Sequence, residues 1–287
     1  MSKLKEVLTN TERSHLETRA FKKASKLGEF IRERTTAYLE NNITIHVEGQ
    51  KNLEKLGDSG AIVVIAPHNG HPDSPLVRAA FEEQYRKHLF LIGAADYWDK
   101  AVFAEDDSLG KRIKKTLTVA CMKRLGPAFV RIFPIDRFNS EQSYYDLAQI
   151  AQLVLDGEYA AILPEGTRNR NVETPMTERE FKTGLGLLVM MTEGKVPILP
   201  VYLEGNEKLL PAHKKWPEFQ EDGVPHTVTV HIGEPIDTSS LVEKSLLEME
   251  DPEIRAKRRM ITNLVFGYFT GMFFDINGDD INSNEPY

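Results

Sequence analysis

Short apolar runs alternate with helical stretches along this chain, and that alternation constrains the fold more than any other feature. The runs are "AIVVIAP" (61–67), "LFLIGA" (89–94), "AFVRIFPI" (128–135), "YAAILP" (159–164), "VPILPVYLEG" (196–205) and "TVTVHIG" (227–233). Helical stretches lie between most of them, notably at 140–155 and 178–193. Strands alternating with helices predict an α/β layer fold. The run at 61–67 is continuous, rich in β-branched residues and bounded by "GDSG" and Pro67. That is the pattern of a central strand buried on both faces. "ITIHVEG" (43–49) alternates instead, as a half-buried strand does. The expected fold is α/β: a single largely parallel or mixed sheet of about seven strands flanked by helices, with helical N- and C-terminal extensions.

The flanks are helical by period. Leu16, Ala20, Leu27, Phe30, Ile31 and Tyr38 recur at roughly helical spacing within 3–40. Ser74-Pro75 reads as an N-cap and first-turn proline opening a helix to about His88. Residues 238–274 read as C-terminal helix broken near Asp251-Pro252, and "NGDDINSNEPY" as a frayed tail. With no internal repeat and no low-complexity linker, the division is a basic helical extension at 1–42, an α/β core at 43–236, and C-terminal helices with a tail at 237–287.

Charge narrows the partners. The net charge of −7 argues against a nucleic-acid binder. Residues 1–42 carry nine Lys/Arg against six Asp/Glu, about +3, which leaves about −10 on the remainder. A basic arm on an acidic body suits an anionic surface, while a solvated helix face explains it equally simply. The single cysteine, Cys121, allows no intrachain disulfide and fits a reducing compartment. The first residues lack an apolar signal-peptide region, and no window approaches 18 uninterrupted apolar residues. A cytoplasmic protein is expected, touching a membrane peripherally if at all.

Three polar clusters follow apolar runs directly: "HNGHPD" after 61–67, "DRF" after 128–135 and "EGTRNR" after 159–164. Open α/β sheets carry their sites at the carboxyl ends of strands. On a regular helix His68 and Asp73 would sit about 140° apart, but Gly70 and Pro72 interrupt any helix there. A turn could bring Asp73 onto one imidazole nitrogen and leave the other free to take a proton from a hydroxyl. Against this stands the reading that Asp73 or Ser74 merely caps the next helix, and spacing alone does not separate the two.

His71 raises a metal reading, but the histidines are three apart in a glycine-containing turn rather than four apart on a helix. His213, His226 and His231 are scattered, so no metal ligand set is assigned. In "LPEGTRNR" (163–170), Gly166 permits close backbone approach, Thr167 offers a hydroxyl, and Arg168 a fork that matches phosphate. Arg137 in "FPIDRF" could supply a second positive arm, and pairing of either arginine with Asp136 or Glu165 is the plainer alternative. The G-x-S-x-G elbow and the P-loop are absent. "DINGDDINSNEP" (275–286) fails as a calcium loop, with Asp280 where the turn glycine belongs.

In order along the chain stand an H-x4-D pair, "FPIDR", "PEGTR", "FKTG" and "VPILPV". This succession resembles the glycerolipid and lysophospholipid acyltransferase family (PlsC type), over about residues 61–203. The resemblance implies transfer of a fatty acyl group from acyl-CoA or acyl carrier protein to a hydroxyl of a glycerol-phosphate or lysophospholipid acceptor. It implies His68 as general base and Asp73 as its orienter. It implies Arg137 and Arg168 on the acceptor phosphate, and Glu165, Gly166 and Thr167 shaping the glycerol pocket. No cofactor and no metal belong to the scheme. A metal-dependent hydrolase using His68, His71 and Asp73, and a silent lipid-binding protein, are the alternatives. The Phe-, Met- and Leu-rich stretch at 260–276 suits an acyl-chain cover or membrane contact, and equally a core helix or dimer contact.

Overall fold

The computed structural model describes residues 26–57, 59–70, 72–95, 131–169, 171, 174–209, 218–243 and 245–282. Seven strands make the main sheet: β1 (Thr44–Glu48), β2 (Ala61–Ala66), β3 (Leu89–Ala94), β4 (Ile132–Ile135), β5 (Tyr159–Ile162), β6 (Ile198–Glu204) and, after a small hairpin of β7 (Gln220–Glu221) and β8 (Val224–Pro225), β9 (Thr227–Ile232). Their order is β1-β9-β6-β2-β5-β3-β4. β2 through β6 all run parallel to one another. β9 runs antiparallel to β6 and carries β1 parallel beside it. The sheet is therefore mixed, and the carboxyl ends of β2, β3, β4, β5 and β6 share one edge.

β2 shows why the sequence folds this way. All six of its residues are buried, and they divide by the period of two. Ile62, Val64 and Ala66 enter the core on one face; Ala61, Val63 and Ile65 enter the core on the other. An uninterrupted β-branched run is what a strand covered on both sides requires. Each large apolar side chain buried this way contributes about 1.5–3 kcal/mol.

Helices cover both faces. α1 (Lys26–Asn42) and α2 (Asp73–Ala80) precede the short α3 (Glu83–Arg86); α4 (Ser140–Leu155), α5 (Gly184–Met191) and α6 (Asp251–Asn282) follow. α4 starts where Asn139 accepts hydrogen bonds from the amides of Glu141 and Gln142. Phe181, just before α5, meets Phe266 and Phe269 of α6 edge-on at centroid distances of 5.3 and 5.5 Å. Ile254, Ile261, Val265 and Phe269 join the α4/α5 core, so α6 is built into the domain. α1 joins the opposite core through Leu39 and is also held by ion pairs: Glu29 and Glu33 pair with Arg78, and Glu33 with Arg86. Its Phe30 and Tyr38 face outward.

Several expected boundaries move. The helix expected from Ser74 to about His88 begins at Asp73 and ends at Ala80, because Phe81 turns extended (ψ 138) and sinks into the core. The helix expected at 178–193 is replaced by a 3₁₀ turn (Met176–Glu178) and then α5. The tail expected to fray from 277 remains helical to Asn282. Residues 3–25 of the expected first helix, 128–130 of the third run, Cys121, His71, His213 and 283–287 lie outside the described residues. None of the described helices is long and apolar enough to cross a membrane.

Candidate functional site

The site sits where β2, β4, β5 and β6 end. After Ala66 the chain turns through Pro67 to His68, and the following turn delivers Asp73 at the start of α2. The His68 Nδ1 and Asp73 Oδ2 atoms are 2.7 Å apart. Asp73 is fully buried and His68 partly so. Asp73 Oδ2 also accepts the Gly70 amide at 3.2 Å, and Oδ1 accepts the Asn206 side-chain amide at 2.7 Å. No side chain caps α2. The carboxylate that could have capped the helix instead meets the imidazole. Its position in the first turn also favours negative charge, through the aligned peptide dipoles.

An ionised carboxylate only accepts, so the proton between the pair sits on Nδ1. In its neutral form the ring then offers a lone pair at Nε2, for which the described residues supply no partner. Nε2 is thereby available as a proton acceptor.

The "PEGTRN" turn after β5 is bonded to both neighbouring clusters. The Glu165 Oε1 atom accepts the His68 amide at 2.6 Å, and the Asn169 amide donates to the His68 carbonyl at 2.9 Å. Arg137, beyond β4, donates from its guanidinium to the Gly166 carbonyl at 2.7 Å. Gly166 takes φ 74, a left-handed conformation that costs glycine little. Gly166 and Thr167 are exposed. Arg168 is half-buried and finds no partner among the described residues. The Arg137 loop is itself held: Asp136 Oδ1 accepts the amides of Phe138 and Asn139, and the buried Asp146 accepts the Asp136 amide.

Glu165 faces inward. Its Oε2 meets the Arg179 guanidinium at 3.0 Å, and both side chains are nearly buried. Arg179 also donates to Asn69 Oδ1 at 3.0 Å and to the Thr174 carbonyl at 3.1 Å. Asn69 in turn donates to Asn206 Oδ1 at 3.3 Å. The hydrogen bonds close a ring: His68 main chain, Glu165, Arg179, Asn69, Asn206, Asp73 and back to the His68 ring. Three of these residues, Asn69, Arg179 and Asn206, were not picked out from sequence. Asn206 carried one signal, its place just past the carboxyl end of β6.

Among the described residues no group of three or more His, Cys, Asp or Glu is arranged to hold a metal ion. No bound group is needed to account for the polar contacts of the ring, since each member has protein partners.

The paired imidazole and the Arg168 guanidinium, which has no partner among the described residues, thus both follow strands at the carboxyl edge of the parallel part of the sheet. Comparison with known families makes the assignment specific. The family model described as Acyltransferase matches residues 109–204, about a third of the chain, and that segment is an acyltransferase domain of the PlsC-type glycerolipid family. By that match the protein is an O-acyltransferase enzyme acting on lipid acceptors. The matched segment contains "FPIDR", "PEGTR", "FKTG" and "VPILPV", and it begins after the His68–Asp73 turn. No match to the chain is found among curated proteins.

Proposed function

We propose that the protein transfers a fatty acyl group from an acyl thioester, acyl-CoA or acyl carrier protein, to a hydroxyl of a glycerol-phosphate or lysophospholipid acceptor. The observation that carries this reading is the 2.7 Å His68–Asp73 pair with its unpartnered Nε2, tied through Glu165 and Asn169 to the turn that bears Arg168.

In this reading Nε2 takes the proton of the acceptor hydroxyl as its oxygen attacks the thioester carbonyl. The tetrahedral intermediate collapses, the carbon–sulfur bond breaks, and the imidazolium returns the proton to the departing thiolate. Asp73 holds the ring and stabilises the imidazolium. A positioned base of this kind contributes about 10²- to 10⁴-fold. Arg137 and Arg168 grip the acceptor phosphate, a task suited to the planar guanidinium. Gly166 and Thr167 line the glycerol side, while Glu165 steadies the base from behind. In this reading 1–42 is a basic N-terminal extension, 43–236 the acyltransferase core, and 237–287 a C-terminal helical segment with its tail.

The test is thiol release from acyl-CoA on addition of glycerol 3-phosphate or a lysophospholipid, in wild type and in His68→Ala. The expected loss is about 10²-fold or more. Equal rates in the two proteins would remove His68 as the base.

A further inference from the structure

We infer that Asn206 is the positioning residue for Asp73, and through it for the His68 imidazole; the catalytic consequence rests on the reaction proposed above. Asn206 is fully buried, one residue beyond Gly205, whose positive φ of 79 turns the chain from β6 under the β2 loop. Its amide orientation is fixed by its neighbours. The atom 2.7 Å from Asp73 Oδ1 is also 3.3 Å from the Pro67 carbonyl, and both of those are acceptors, so that atom is the NH₂. The other end then presents Oδ1 to the Asn69 amide at 3.3 Å. Every donor and acceptor in the arrangement is matched.

This contact does something the Gly70 amide does not. Gly70 and His68 both address Oδ2, whereas Asn206 alone among the described residues addresses Oδ1. A carboxylate held at one oxygen can pivot about its Cβ–Cγ bond. Held at both, it has a fixed plane, and Oδ2 stays aimed at Nδ1. Asn206 also donates, which keeps Asp73 an acceptor and so keeps the ring proton on Nδ1 and the lone pair on Nε2. Because Asn206 follows β6 and His68 follows β2, the contact makes the base's orientation depend on the pairing of two central strands.

Two measurements on Asn206→Ala and the volume-conserving Asn206→Leu test this. The first is the His68 tautomer, read by long-range proton–nitrogen NMR of the imidazole, which needs no substrate. Wild type is expected as the Nδ1–H form, and both variants as a mixture with the Nε2–H form. The second is turnover of acyl-CoA with glycerol 3-phosphate or a lysophospholipid. A hydrogen bond to a charged group supports an expected fall in kcat of about 10- to 100-fold, with KM little changed. In an Asp73→Ala background the same substitution is expected to change kcat no further, because Asn206 acts only through Asp73. An unaltered tautomer in the variants overturns the inference whatever the substrate. An additive loss in the Asp73→Ala background also overturns it, since that is the mark of a merely structural strut. A wild type that turns over none of these acceptors while showing the expected tautomer change refutes the proposed reaction and leaves the positioning role standing.

Discussion

Arg179→Met is expected to be among the most damaging single substitutions in the protein, and its cost can be worked from the site. The Glu165 carboxylate is buried with two donors, the His68 amide at 2.6 Å and Arg179 at 3.0 Å. Removing the guanidinium leaves the charge with the amide alone, in surroundings where an unpaired ion costs far more than in water. Breaking a buried pair from one side costs about 3–5 kcal/mol. That is a large fraction of the roughly 5–15 kcal/mol that holds a typical protein folded. The assay is urea unfolding followed by circular dichroism. The midpoint is expected to drop sharply, and the double variant Glu165→Gln with Arg179→Met to recover part of the loss, because it removes the stranded charge. A loss below about 1 kcal/mol for Arg179→Met, a value typical of exposed pairs, would refute the argument. So would a double variant no more stable than the single one.

Three further outcomes are expected. Arg168→Ala should raise KM for a phosphate-bearing acceptor about 10- to 100-fold and leave an uncharged monoacylglycerol unaffected, as steady-state kinetics with the two acceptors would establish. Asn139→Ala should cost about 1 kcal/mol in denaturant unfolding, since it strips the cap from α4. His88 has its pKa lowered from 6.5, chiefly by burial beside Tyr159, with Lys87 and Arg131 adding to the effect and Glu158 opposing it. Its contribution to stability is therefore present above about pH 6.5 and lost as pH falls through the lowered value. In His88→Gln, the thermal midpoint should fall less between pH 7 and pH 5 than it does in wild type.

What the sequence made legible follows the range of the interactions. β2 was visible because burial on both faces leaves an uninterrupted apolar run, and α4 because its cap and its period are local. The antiparallel placement of β9 was not visible, since strand order is set by contacts between distant segments. α2 ends early because Phe81 leaves the helix for the core, a long-range demand with no local signal. Asp73, a candidate cap by sequence, meets His68 instead. Arg137, Arg168 and Glu165 could be named because they follow strand-like runs in clusters. Arg179, Asn69 and Asn206 escaped because a lone buried polar residue leaves no pattern. Its partner lies more than a hundred residues away for Asn69 with Arg179, and 133 away for Asn206 with Asp73.

The turn after β5 has two sides with different freedoms. Glu165 is locked inward between the His68 amide and Arg179, and Asn169 holds the His68 carbonyl. Gly166 and Thr167 between them are exposed, and Arg168 has no partner among the described residues. On the proposed mechanism, three residues that answer to the acceptor are thus flanked, within five positions of one loop, by two that answer to the base. A library confined to Thr167 and Arg168 would sample new acceptors while the proton-transfer apparatus stayed intact. The same diversity spread to Glu165 or Asn169 would spoil both together. On the proposed mechanism, substrate preference is the part of the site open to redesign, and the chemistry is the part bound into the fold.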